Sequence, residues 1–471
     1  MSREEKLAKN TIILSIGTFL PKLAAFITLP ILTAYLTKEE YGTYDLITIL
    51  VSLFLPAVTL QIQTAAFRFL IDARKDEKKV KIIITNIFAF ISPISIVALL
   101  ILYFLLPSGS SETKLLICAY FFVDIYSNNT RQIARGLERN MDYSISAVIS
   151  ALGKMLFAVI FVRYFRTGLI GAVLALLAAS TASFTALSIR IHLFRYIDFK
   201  LLNFSIIKEL LQYSWPLVPN SMSMWVMRVS DRFVVTMFMG ITANAVYAVA
   251  NKIPSILTLA HGTFNMAWLE NASIVVNDKD VNEYYSSMFR TILDLVAGLL
   301  GLLICAAPLL FQLLIRGDYS EAYAQLPILF LAMFFNCVCS FLGGIYIAHK
   351  ATLSVGITST AAATCNLLVD LALIKKIGLY AASGSTLISY LFLMIFRMID
   401  VKKLVAIRYD FKHILLVVGI LLIETALCFI NRLFSNIFNI LFGVTTFFML
   451  NRSFVKVILE KAKQVFCKIT S

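Results

Sequence analysis

Fourteen long apolar runs follow one another through this chain, each separated from the next by a short polar break. They lie near 11–36, 41–69, 82–107, 113–131, 143–163, 168–190, 211–238, 243–269, 286–315, 321–348, 352–374, 378–397, 411–431 and 434–451. A helix of roughly 20 apolar residues is long enough to cross a hydrocarbon core of about 30 Å. Inside lipid every backbone N–H and C=O must be satisfied within the protein, which leaves helices or a closed barrel. The runs are too long for barrel strands and lack period-2 alternation. An all-α integral membrane bundle of about fourteen helices is therefore expected. The chain is 59% hydrophobic and 15% charged, with a mean hydropathy of +0.84. Soluble proteins carry about 25% charged residues. The 471 residues thus predict one polytopic bundle with little outside the bilayer.

The 42 Lys and Arg are unevenly placed: 35, Arg131 and Arg397 among them, fall in the breaks or at the edges of the runs, and seven fall inside the runs. With the N-terminus inside, the inner breaks hold 27 and the outer breaks 8. Cytoplasmic loops collect Lys and Arg, so both termini are expected in the cytoplasm, as an even number of spans requires. The richest inner segments are 74–81, 190–208, 397–412 and the tail from Arg452. The net charge of +15 is read as topology, and no nucleic-acid partner is expected. Outer breaks such as 108–113 and 317–320 are short, which disfavours a glycan polymerase or ligase needing a large outer domain. Residues 1–10 are polar and the apolar run after them is too long for a signal h-region, so no cleavable signal peptide is expected.

Seven cysteines offer no disulfide framework or zinc spacing; six lie in apolar runs and Cys467 lies in the tail. Four dispersed histidines form no metal cluster. No catalytic residue, metal or cofactor is expected, a coupling H+ or Na+ aside.

The halves resemble each other weakly. Gly168-Leu-Ile-Gly171 and Gly378-Leu-Tyr-Ala381 begin the sixth and twelfth runs, Glu138-Arg139-Asn140 and Ala348-His349-Lys350 precede the fifth and eleventh, and Tyr41-Gly42-Thr43-Tyr44 and Asn244-Ala245-Val246-Tyr247 begin the second and eighth. The expected organisation is a lobe over 1–200, a parallel repeat over 201–405, and two extra helices with a basic tail over 406–471. In repeat-built transporters the substrate site lies between the halves.

The seven internal cations are Lys22, Arg68, Lys154, Arg228, Arg232, Lys252 and Arg290. Each costs at least about 2.5–3.5 kcal/mol at a helix centre, so each must face water, pair with an acid, or snorkel from a helix end. Arg68 and Arg290 lie near inner ends, and Arg290 has Asp294 four residues on. Lys154 is near mid-span, where Asp124 of the neighbouring run could neutralise it. Lys22 lies between Pro21 and Pro30; Arg228 and Arg232 share a helical face beside Asp231; Lys252 precedes Pro254. If the first, seventh and eighth runs meet at the lobe interface, these four make a basic cavity. Arg forks and Lys point charges suit a pyrophosphate. Asp45 and Asp370 are read as solvated near span ends, and Glu424 is deeper in the thirteenth run.

The segment Leu29-Pro30-Ile31-Leu32-Thr33-Ala34-Tyr35-Leu36 with Glu39-Glu40-Tyr41-Gly42-Thr43-Tyr44, and Tyr213-Ser214-Trp215-Pro216 with Asp231-Arg232-Phe233, resemble the Wzx-type polysaccharide flippases of the multidrug/oligosaccharidyl-lipid/polysaccharide exporter superfamily. The second-lobe counterpart of Gly42 is Ala245, a departure from the motif. The resemblance implies two six-helix lobes around a central cavity, two appended helices, and alternating-access export of undecaprenyl-pyrophosphate-linked oligosaccharide. It implies a bacterial cytoplasmic-membrane location, partners among membrane lipids, polysaccharide polymerase and chain-length machinery, and no enzyme activity. Lys22, Arg228, Arg232 and Lys252 are then the substrate-binding candidates, with Asp231, Asp45, Arg68, Lys154, Asp124 and Arg290 as supporting residues. The rivals are a lipid II flippase with the same fold and a multidrug antiporter. The antiporter should have twelve spans and an acid-lined cavity, neither of which the sequence shows.

Overall fold

The computed structural model describes residues 3–106, 110–452 and 456. Eighteen α-helices account for nearly all of it, and the described residues contain no strand. The first eight are α1 (Arg3–Tyr35), α2 (Lys38–Thr59), α3 (Ile62–Ala73), α4 (Glu77–Leu105), α5 (Ser111–Gly136), α6 (Asn140–Ala158, continued by a π-turn to Tyr164), α7 (Gly168–Arg190) and α8 (Phe204–Ser214). Next come α9 (Leu217–Met239), α10 (Ile241–Ala250), α11 (Ser255–Ile274), α12 (Val281–Leu314), α13 (Ser320–Tyr323) and α14 (Leu326–Ala348). The chain closes with α15 (Thr352–Ile377), α16 (Leu379–Asp400), α17 (Phe411–Ile430) and α18 (Leu433–Leu450).

Every apolar run is helical. Ten helices among the described residues are long and apolar enough to cross a membrane. Helix α5 falls short because Asp124, Asn128, Asn129 and Arg131 interrupt its apolar surface. Four runs are broken where one continuous helix was expected, the tenth near its start at Ala324 and Gln325 between α13 and α14. The second breaks at Leu60 and Gln61, both with positive φ. The seventh breaks at Trp215–Pro216 and the eighth across Asn251–Pro254, where proline removes a backbone donor.

The helix starts have local causes. Thr37 and Glu40 form a reciprocal capping box on α2. Asp76 accepts from the Lys78 and Lys79 amides, and Asp410 from that of His413.

Two compact units divide the chain, Met1–Val229 and Ser230–Ser471. In the first, α6 packs between α1 and α7 through small side chains. A Cβ at Gly17 would stand 2.6 Å from Ser144 Oγ, and one at Gly153 would stand 3.1 Å from that of Ala179. Such close approach is how helices associate in lipid, where burial of apolar surface supplies little drive. The broken second run is tied down within this unit: Gln61 Nε2 donates to Ser221 Oγ at 2.9 Å, and Trp225 Nε1 to Ser52 Oγ at 3.1 Å. In the second unit α14 is the central helix, packed on α11, α12, α16 and α17, while α18 lies on α12. The six cysteines in helices are free thiols; Cys467 lies outside the described residues.

Candidate functional site

Lys22 on α1 is exposed on the molecule. Arg228 is on α9, its side chain outside the described residues; Lys22 and Arg228 fall in the first unit. Arg232 on α9 and Lys252, in the break before α11, are half-buried in the second. The break at Lys252 is held by its own carbonyl, which accepts from Ser255 Oγ at 2.6 Å.

The first unit gathers a basic cluster the sequence showed only in part. Helix α5 carries Asp124, Asn128 and Arg131 at helical spacing, and Lys154 on α6 lies within electrostatic reach of both Asp124 and Arg131. Asn128 Nδ2 donates to Asp124 Oδ2 at 3.4 Å, and Arg131 leans on Ser127 Oγ at 3.2 Å. Two cations therefore share one carboxylate, leaving an excess positive charge. Arg131 was counted with the loop charges because it lies at the edge of an apolar run; the helix continues five residues past it, to Gly136.

The second unit holds the opposite. Asp231 on α9 is 6% exposed and Asp370 on α15 is fully buried. Asp231 Oδ2 accepts from Tyr247 Oη at 3.0 Å and from Thr386 Oγ1 at 2.6 Å. Asn366, one turn from Asp370, accepts from Ser230 Oγ at 3.2 Å and donates to Ser385 Oγ at 3.4 Å. Asp231 Oδ1 and both Asp370 oxygens have no hydrogen-bond partner. Asp370 is thus no solvated end residue; it is buried within electrostatic reach of Asp231, the acid that the sequence places beside Arg228 and Arg232. Burying such charge is costly without a counter-charge. The donor set of two carboxylates, an amide and two hydroxyls is all oxygen, which suits a proton or a hard cation. No group of three or more His, Cys, Asp or Glu gathers among the described residues. The signal in the sequence was Asp370 itself, an acid amid apolar residues.

Other expectations change as well. Asp45 is 3% exposed on α2, not solvated. Arg68 forms an exposed ion pair with Asp72 at 2.8 Å, as a snorkelling residue can. Arg290 faces Asp410 at 3.9 Å, while Asp294 is taken by His413 at 2.6 Å. Arg397, counted as a loop charge, is buried in α16. It donates to Cys339 O at 2.7 Å, Thr358 Oγ1 at 3.2 Å and Ser359 Oγ at 2.9 Å.

The fold is that of lipid flippases and multidrug transporters. It is similar to the structure titled "Lipid II flippase MurJ, inward closed conformation" at TM-score 0.70 and 17% identity, covering 95% of this chain and 100% of that one. A multidrug resistance MATE family transporter of the MOP superfamily in an inward-facing conformation matches at TM-score 0.66 and 13% identity, covering 84% of this chain and 98% of that one. A MOP superfamily transporter from Pyrococcus furiosus, titled for the reverse polarity of its binding pocket, matches at TM-score 0.56 and 15% identity, covering 84% and 95%. No curated protein matches in sequence. Residues 7–269 match the polysaccharide biosynthesis protein family, and the chain belongs to it. It is a multi-pass membrane protein with the fold of flippases and transporters.

Proposed function

We propose that this protein carries undecaprenyl-pyrophosphate-linked oligosaccharide repeat units across the bacterial cytoplasmic membrane by alternating access, for O-antigen, capsule or exopolysaccharide synthesis. Both termini face the cytoplasm in this reading. The observation that carries it is membership of the polysaccharide biosynthesis family across residues 7–269. Lys22, Arg228, Arg232 and Lys252 bind the pyrophosphate, joined by Arg131 and Lys154. An intramembrane cation pairs with an anionic substrate at far lower cost than it stands alone. Asp231 and Asp370, with Asn366, Tyr247 and Thr386, hold the coupling H+ or Na+, which supplies counter-charge to the two acids.

Deleting the protein should accumulate lipid-linked repeat units on the cytoplasmic face. Arg228→Ala and Arg232→Ala should each abolish export while leaving insertion intact. Complementation of a flippase-deficient strain by both variants would overturn the role given to these arginines. A lipid II flippase is the second reading, favoured by full-length likeness of fold. Rescue of a strain depleted of its lipid II flippase would select it.

A further inference from the structure

Glu424 has no role in the transport reading, yet it is the most deeply placed acid of the last two helices. It sits on α17 at a junction with α12 and α18 and is fully buried. Oε1 accepts from Thr446 Oγ1 of α18 at 2.9 Å, and Oε2 has no partner. Beside it, Asn439 Nδ2 donates to the Glu424 carbonyl at 3.2 Å, and Asn439 Oδ1 is likewise unpartnered. Cys305 Sγ of α12 donates to Asn439 O at 2.9 Å. The carboxyl has been given room: a Cβ at Gly301 of α12 would stand 2.8 Å from Oε2, and one at Gly443 of α18 would collide with Cys305 Sγ.

The titratable groups facing Glu424 are Cys305 of α12 and Cys428 of its own helix, the latter against Tyr323 Oη of α13 at 3.5 Å. Helices α14 and α18 bring no charged residue to it, because their sequences contain none. Arg290 of α12 and His413 of α17 are engaged with Asp410 and Asp294 instead, so among the described residues no cation balances an ionised carboxylate here. A carboxylate buried unpaired is prohibitive, whereas a neutral acid costs little more than an amide. Gln would fill the same space without that liability, so an acid at this position points to a gain and loss of charge.

We propose that Glu424 is a proton-binding site that latches the α17–α18 pair onto α12. Carrying its proton, it fits the dry junction; releasing the proton requires the junction to admit water. The site is separate from the Asp231 and Asp370 cluster and does not rest on the transport reading.

The test is infrared difference spectroscopy of the purified full chain in lipid at neutral pH, wild type minus E424Q. A protonated-acid carbonyl band in the difference is expected, and a carboxylate band in its place overturns the proposal. If E424Q does not insert, E424D serves: the same band should move instead of vanishing. The latch is read by peptide-resolved maleimide labelling of Cys305 as pH rises. The ratio of wild-type to E424Q labelling should climb several-fold, the opposite of the fall that repulsion between an ionised Glu424 and the Cys305 thiolate alone would give. A flat ratio overturns the latch while leaving the proton site to the infrared result.

Discussion

The two units present opposite charge from related helices. Lys154 lies on α6 of the first unit; Asp370 lies on α15 of the second, the counterpart of α6 at the repeat offset of 210 set by Gly168 and Gly378. Those glycines share a positive φ, 59° and 58°. The turn scaffold is thus shared, while the polar interior has diverged. The first unit keeps two cations half-buried around one acid, and the second buries two acids that are only partly satisfied. The first cluster has more cations than acids, and the second more acids than cations. A helical frame can therefore be duplicated and then assigned to an anion in one copy and a cation in the other.

The largest effect should come from removing the excess positive charge of the first unit. Lys154→Ala with Arg131→Ala is expected to abolish surface polysaccharide at unchanged membrane abundance. Asp124→Asn, which increases that excess, should leave export in place. Export that survives the double substitution would break the contrast between the units.

On the other side, Asp370→Asn should remove cation dependence from transport in proteoliposomes. It should also leave the fold as stable or raise its stability by about 1–3 kcal/mol, because a buried charge without a partner is relieved. The matched change in the first unit, Asp142→Asn, should destabilise. Asp142 is clamped by Arg139 Nε at 2.5 Å and Arg190 Nε at 2.6 Å, and its loss strands both. Those arginines are about half exposed, so solvent screening limits the cost to about 1 kcal/mol. Thermal unfolding in detergent gives both signs.

Arg190 and Arg397 end α7 and α16, related helices, and differ in the same way. Arg190 meets an acid at the surface; Arg397 is buried against neutral oxygens, with Gly343 leaving space for its guanidinium. Lys lacks the planar fork, so Arg397→Lys should cost about 1–3 kcal/mol by leaving buried acceptors unpaired. Arg190→Lys should cost less than about 1 kcal/mol. Equal costs would mean the two positions are energetically alike despite their surroundings.

The helices were legible in the sequence because membrane burial makes hydropathy a nearly complete signal. The glycine repeat was legible for a different reason: a positive φ at Gly168 and Gly378 leaves a residue-level mark. The breaks at Leu60 and Gln61 were not, since neither residue is a known breaker and the turn is imposed by tertiary contacts, among them Gln61 with Ser221. Of the site, the charged residues could be enumerated but not partnered. Sequence position near a span end suggested that Asp370, Asp45 and Arg397 reach water, and the packing of neighbouring helices decided otherwise. Arg131 shows the same failure in reverse: an apolar run ends before its helix does.

The finest distinction between the units lies at the turn glycines. In the first, Glu40 caps α2 and also accepts from the Leu169 amide at 3.1 Å, strapping α2 to the start of α7. A Cβ at Gly168 would collide with the Glu40 carboxylate. In the second, Ala243 stands where Glu40 does at the offset of 203, and a Cβ at Gly378 would meet only the flexible end of Met239 at 3.2 Å. Both Ala substitutions pay for the left-handed backbone, about 1 kcal/mol each. Gly168→Ala should cost a further increment of about 0.5–1 kcal/mol for the displaced strap. Combining it with Glu40→Ala should erase that increment, because the collision and the strap vanish together. If the double-mutant cycle shows no coupling, Glu40 is a helix cap and nothing more, and the two turns are equivalent after all.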